Sequence, residues 1–183
     1  MVDFNRVSIK NKAIYLRALK IDGGIKMYGA ILEKGEDYYT YLYKVFSGIN
    51  MVQKNYNWLI TDIVSYPKIK EYEDLFSKKY CWISGEQLTK ILEKEDFQWI
   101  WGVLSGFDKN IDIKEVLNYS LPYADGYEGF WKNPLSLQHP LASLEIVAWD
   151  SSSTLIISKD RKVINDFRLN FPLSENLGTY NES

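Results

Sequence analysis

Three aspartates, Asp62, Asp108 and Asp150, are the most suggestive chemical groups in the chain, because each lies in or just after a run that reads as a β-strand. On parallel neighbouring strands such carboxylates would gather at one sheet edge, where α/β proteins place ligands, and their hard oxygens would suit a cation such as Mg²⁺. A local reading competes with this. Asp is favoured in turns because its side chain bonds to nearby backbone, and Asp150 followed by Ser151-Ser152-Ser153 has the composition of a hairpin turn. A small-ligand-binding or metal-assisted enzyme built on these three residues is therefore the alternative reading. No catalytic residue, metal ligand or cofactor is assigned.

Other catalytic arrangements lack parts. The one histidine, His139, immediately precedes Pro140, and neither a triad nor a multi-histidine metal site can be assembled around it. The one cysteine, Cys81, cannot form an internal disulfide, and between Tyr80 and Trp82 in a strand-like run it reads as a buried, inert thiol. Neither glycine-rich phosphate motif occurs. Gly102-Val103-Leu104-Ser105-Gly106 is no nucleophile elbow, since its serine comes one position late.

The longest stretch without visible period is 119–142, which contains Pro122, Pro134, Pro140, Gly126 and Gly129. Irregular connections of that length inside a domain are uncommon and often carry function. Tyr123, Tyr127, Phe130 and Trp131 beside Asp125 and Glu128 have the composition of a partner-binding surface, with large anchors among acids and flexible glycines. The competing expectation is that the rings fold back over the sheet as a lid.

Composition narrows the class. With 183 residues, 46% hydrophobic and 25% charged, the chain suits one globular domain spanning 1–183. Six Trp, 14 Tyr and 8 Phe exceed what one modest core needs, which points to rings at clefts or interfaces. The net charge is −2 and the basic residues are scattered, so nucleic acid is not an expected partner. No apolar run approaches bilayer length and no leader-like start is present, so the expectation is a cytoplasmic protein without membrane contact.

The elements that must position these residues are read from periodicity. Leu144 to Phe171 reads as strand, turn, strand and helix: Leu144–Trp149, a turn at Asp150, Thr154–Ile157, then a helix capped by Asp160 with Val163, Ile164 and Phe167 on one face. Ser84 with Gln87 forms a capping box after the strand Tyr80–Ile83, and Asp112 with Glu115 repeats the pattern. Strands are expected at Trp58–Val64 and Gln98–Leu104. A helix is expected over Glu36–Phe46, and weak helicity at best over Lys68–Lys79. A hairpin is expected from Ala13–Ile21 and Met27–Leu32, with 1–12 a tail or edge strand and 173–183 a frayed tail. The class expected is α+β, or α/β: a single two-layer domain with a mixed sheet, helices packed on it and a C-terminal strand-turn-strand-helix unit.

The runs Tyr28-Gly29-Ala30-Ile31, Tyr56-Asn57-Trp58-Leu59-Ile60, Ile83-Ser84-Gly85-Glu86 and Val147-Ala148-Trp149-Asp150-Ser151-Ser152, continuing to Ser158-Lys159-Asp160, resemble a small bacterial family of unknown function, mainly Gram-positive. The resemblance covers Tyr28 to Phe167 and brings no site residues with it. With catalytic groups missing, mild acidity and an aromatic loop, the expected function is a non-enzymatic cytosolic binding protein. An immunity-type inhibitor holding a basic toxin by protein–protein contact is its specific form.

Overall fold

A computed structural model describes residues 26–183 of the chain. Seven strands form one sheet: β1 (Tyr28–Leu32), β2 (Tyr56–Ser65), β3 (Tyr80–Ser84), β4 (Trp99–Asp108), β5 (Leu144–Trp149), β6 (Ser153–Ser158) and β7 (Glu175–Asn176). Their spatial order is β3-β2-β4-β5-β6-β1-β7, and every pairing is antiparallel. The class is α+β, but the expected mixed sheet is corrected to an antiparallel one. The physical reason lies in the connections. The chain between β2 and β3 returns at the same end of the sheet, and β3 and β4, which do run parallel, have β2 inserted between them.

The helices are α1 (Leu42–Gly48), α2 (Lys70–Phe76), α3 (Gly85–Lys94), α4 (Ile113–Val116), α5 (Arg161–Asn170) and α6 (Leu177–Tyr180). Helix α3 begins as its sequence dictates. Ser84 Oγ accepts from the Gln87 amide at 3.2 Å, and Gln87 Oε1 accepts from the Ser84 amide at 3.4 Å. Gly85 is required there, since a Cβ would lie 1.9 Å from the Gln53 carbonyl oxygen. At α4 the expected box reduces to a cap: Asp112 accepts from the Lys114 amide at 2.7 Å. Asp160 caps α5 through the Lys162 amide at 2.8 Å, and Val163, Ile164 and Phe167 are buried.

Helix α1 starts later than periodicity suggested. Tyr41 bridges to Gln98 and Thr40 accepts from the Trp99 amide, so the preceding segment is held extended. The segment expected to be weakly helical forms α2, anchored by buried Tyr72 and Phe76. The first strand of the N-terminal hairpin and the tail 1–12 lie outside the described residues. Residues 173–183 correct the frayed-tail expectation. Glu175–Asn176 pairs with Ala30 and Ile31, and Leu177 is fully buried, so apolar contact and strand pairing order the end of the chain.

The sheet is covered on both faces. Helices α1, α3 and α5 bring Phe46, Leu88, Leu92 and Phe167 against Trp58, Ile60, Leu104, Ile146 and Ile156. On the opposite face Val103, Val147, Leu155 and Ile157 lie under Ala124, Phe130 and Leu177, and Leu59 and Phe107 lie near Val116 and Ala142. The two regular layers expected from the sequence are thus completed by a third, largely irregular one. Burial on both faces explains why β5 and β6 are apolar at consecutive positions, Ile146–Trp149 and Leu155–Ile157, without alternation. Among the described residues no helix is long and apolar enough to cross a membrane.

Candidate functional site

The three aspartates do not meet. Asp108 pairs across from Tyr56 at the start of β2, whereas Asp62 lies six residues further along that strand, about 20 Å away at strand rise. Asp150 occupies the β5–β6 turn at a φ of 46°. Among the described residues no group of three or more His, Cys, Asp or Glu is placed to hold a metal ion. Shared use of Asp62, Asp108 and Asp150 at one sheet edge is therefore corrected: β4 runs antiparallel to both β2 and β5, which puts Asp108 at the end of the sheet opposite to Asp62 and Asp150.

Asp62 has a different task. It adopts a φ of 52° at an irregularity in the pairing of β2 with β4. Its Oδ2 accepts from the amides of Ala124 at 2.7 Å and Asp125 at 3.0 Å. Gln138 grips the adjoining residue from the other side. Its Oε1 accepts from the Tyr123 amide at 3.1 Å while its Nε2 donates to the Tyr123 carbonyl at 2.7 Å. The tip 123–126 is thereby clamped at three successive residues before Gly126, whose φ of 75° turns the chain.

The aromatic residues of 119–142 divide between lid and surface. Phe130 is fully buried, and Tyr127 packs edge-on against it at 4.7 Å. Trp131 is half-buried against Trp149 at 4.9 Å. Tyr123 is 49% exposed, Asp125 and Glu128 are exposed, and Glu128 is paired with Lys132 at 2.8 Å. Phe130 is thus corrected from a contact residue to a core residue, because it fills the space over Val103 and Val147.

A buried polar group lies behind the tip. Glu145 on β5 is fully buried and accepts from Ser105 Oγ at 3.0 Å, the Gln138 amide at 2.8 Å and the His139 amide at 3.0 Å. Burial pushes its carboxyl up to about 7, against the pull of those three donors. His139 is equally buried. Its Nε2 lies 3.1 Å from the Val116 carbonyl and its Nδ1 accepts from the Leu141 amide at 3.2 Å, which assigns the proton to Nε2. Phe107 and Tyr119 pack edge-on against its ring, and burial lowers its pKa.

Glu145 and Gln138 escaped sequence reasoning, although one signal was present. A glutamate inside Leu-Glu-Ile-Val-Ala-Trp, a run apolar enough for burial on both faces, demands hydrogen-bond partners wherever it lands. Cys81 behaves as read: it is buried, and desolvation raises its thiol to about 11. Asp96, also displaced upward by burial to about 6, accepts from the Tyr43 amide at 3.4 Å and so serves the start of α1. Glu145, Gln138, His139 and Asp96 each hold backbone amides or carbonyls, and Ser105 Oγ is the side-chain partner of Glu145.

Residues 27–125 match the model of a family described as protein of unknown function (DUF2691). No curated protein and no solved structure matches the chain.

Proposed function

The chain belongs to the family of proteins of unknown function DUF2691, and from the site itself we propose that it is a non-enzymatic binding protein that meets a protein partner through the clamped tip 123–126. The observation that carries this reading is the tip's fixation. Tyr123 is presented to solvent from a backbone already held by Gln138 and Asp62, so docking would cost little further ordering. A catalytic reading has less support, because the buried Glu145 and His139 are engaged with backbone.

The specific form of the proposal is an immunity-type inhibitor in the cytoplasm of a bacterium, holding a basic toxin. Asp125 and Glu128 would steer such a partner, and Tyr123 would be its anchor. Tyr127 and Trp131 would support the surface from below.

A photo-crosslinking amino acid at position 123, expressed in the native host, tests this. The expected result is one basic protein captured from position 123 and not from exposed position 70. With that protein purified, Tyr123→Ala should weaken binding about tenfold or more at unchanged melting temperature. Equal capture from both positions, or unchanged affinity in Tyr123→Ala, would overturn the reading.

A further inference from the structure

A separate cleft lies at the far end of the sheet from β3, between α5 on one side and the segments around Asn133 and Thr179 on the other. Its volume is about 910 Å³. It opens where the outer edge of β1 loses its cover, since β7 pairs only with Ala30 and Ile31 and leaves Tyr28 and Gly29 beyond it. Four arginines occur in the chain, and the two among the described residues, Arg161 and Arg168, both line this cleft. Seven residues apart on α5, they share one face of the helix about 10 Å apart along its axis. Lys26 adds a third cation at the rim, and Lys26 and Arg161 lie 5.6 and 5.9 Å from the Tyr28 ring centre.

Of the 15 lysines among the described residues six pair with a carboxylate, and what sets Arg161 and Arg168 apart is that both line one cleft. Lys34, Lys44, Lys70, Lys109, Lys132 and Lys162 each pair with a carboxylate. On α5 itself Lys162 pairs with Asp166, while Arg161 and Arg168 have no carboxylate within ion-pair distance among the described residues. One acid, Glu182, lines the cleft, and Asn133 Nδ2 donates to it at 3.4 Å and to the Gly178 carbonyl at 2.8 Å. Guanidinium groups match oxyanions through paired N–H donors, which a lysine cannot reproduce.

We propose that this cleft is a binding site for a small phosphorylated ligand carrying more than one phosphoryl group, held by Arg161 and Arg168 with Lys26 at the rim. The spacing of the two arginines calls for charge at two points. Three cations against one carboxylate favour the higher charge density of phosphate over that of carboxylate. Asn165 and Thr179 supply further polar groups on the two walls, and Ile164 and Leu135 give an apolar body something to rest on. The site stands apart from the tip at 123–126 and does not depend on it.

Calorimetric titration of the full chain with inorganic tripolyphosphate tests the proposal, with citrate as the carboxylate comparison and sodium chloride at matched ionic strength as the control. The expected result is saturable one-site binding of tripolyphosphate that citrate does not equal. Arg161→Ala and Arg168→Ala should each weaken it about tenfold or more, and Arg168→Lys should restore only part of the loss. Lys70→Ala, on α2 and outside the cleft lining, should leave it unchanged. Circular dichroism of the exposed-arginine variants should match the parent, which separates lost binding from lost folding. Absence of saturable binding, tighter binding of citrate, or equal binding by Arg168→Ala would overturn the assignment.

Discussion

The two faces of the sheet are covered by different means. On one face helices α1, α3 and α5 close the core, and each helix satisfies most of its own backbone through its internal ladder. The cover on that side therefore needs little from the sheet except apolar surface. On the other face the cover is Val116 and Leu177 of the four-residue helices α4 and α6 together with 119–142, whose one helical element is the single turn Glu128–Trp131. Its buried amides have no ladder, and an unpaired buried N–H is costly. The protein supplies acceptors from outside the loop: Asp62 for Ala124 and Asp125, and Glu145 for Gln138 and His139. Asn181 serves the cover too, donating to the Phe130 carbonyl at 3.0 Å. Carboxylates placed within a sheet can thus be anchors for irregular chain.

The largest test of this contrast compares one core residue from each face. Trp58→Ala under the helices and Phe130→Ala in the loop each remove a fully buried ring, and each should cost about 3–5 kcal/mol in urea unfolding. A loss below about 1 kcal/mol for Phe130→Ala would mean that the irregular cover is not part of the core.

Next in size is a pH effect. Glu145 has its pKa raised by folding from 4.5 to about 7. Its contribution to stability is therefore full below about pH 4.5 and is lost as pH rises through 7, by an amount on the order of 3 kcal/mol. Asp96 acts in the same sense over a lower window that ends near 6. His139 acts oppositely: burial lowers its pKa, so its contribution is present above 6.5 and falls away in acid. Unfolding midpoints at pH 5 and pH 8 for the parent and Glu145→Gln isolate the glutamate, and the variant should lose the component that weakens the fold towards pH 8. Identical pH dependence in the two proteins would show that Glu145 is not held as described.

Asp62→Ala should cost about 1–3 kcal/mol by orphaning the amides of Ala124 and Asp125. Hydrogen exchange at those two amides should accelerate far more than at Val103 or Val147. The smallest effect belongs to the exposed ring: Tyr123→Ala should change stability by less than about 0.5 kcal/mol, because nearly half of the side chain already meets water. A larger loss would move Tyr123 from the surface into the lid.

Much of the local structure was legible in the chain. The hairpin of β5 and β6, with Ile146 opposite Ile156 and both fully buried, follows from two short apolar runs around an Asp-Ser turn. The Ser84–Gln87 box, the apolar face of α5 and the buried thiol are likewise properties of neighbouring residues, and neighbouring residues are what a sequence window contains. Tertiary structure decided the rest. Ala30 pairs with Ile156, and Asp62 reaches an amide 62 positions away. No local period encodes such partners, because they are chosen by which strand ends the folded sheet brings together. The same holds for Glu145 and Leu177, whose burial depends on chain that arrives from elsewhere to cover them. Residue types determined that this chain would make strands, caps and a core. The folded sheet alone decided that its aromatic loop closes that core while Tyr123 at its tip stays exposed.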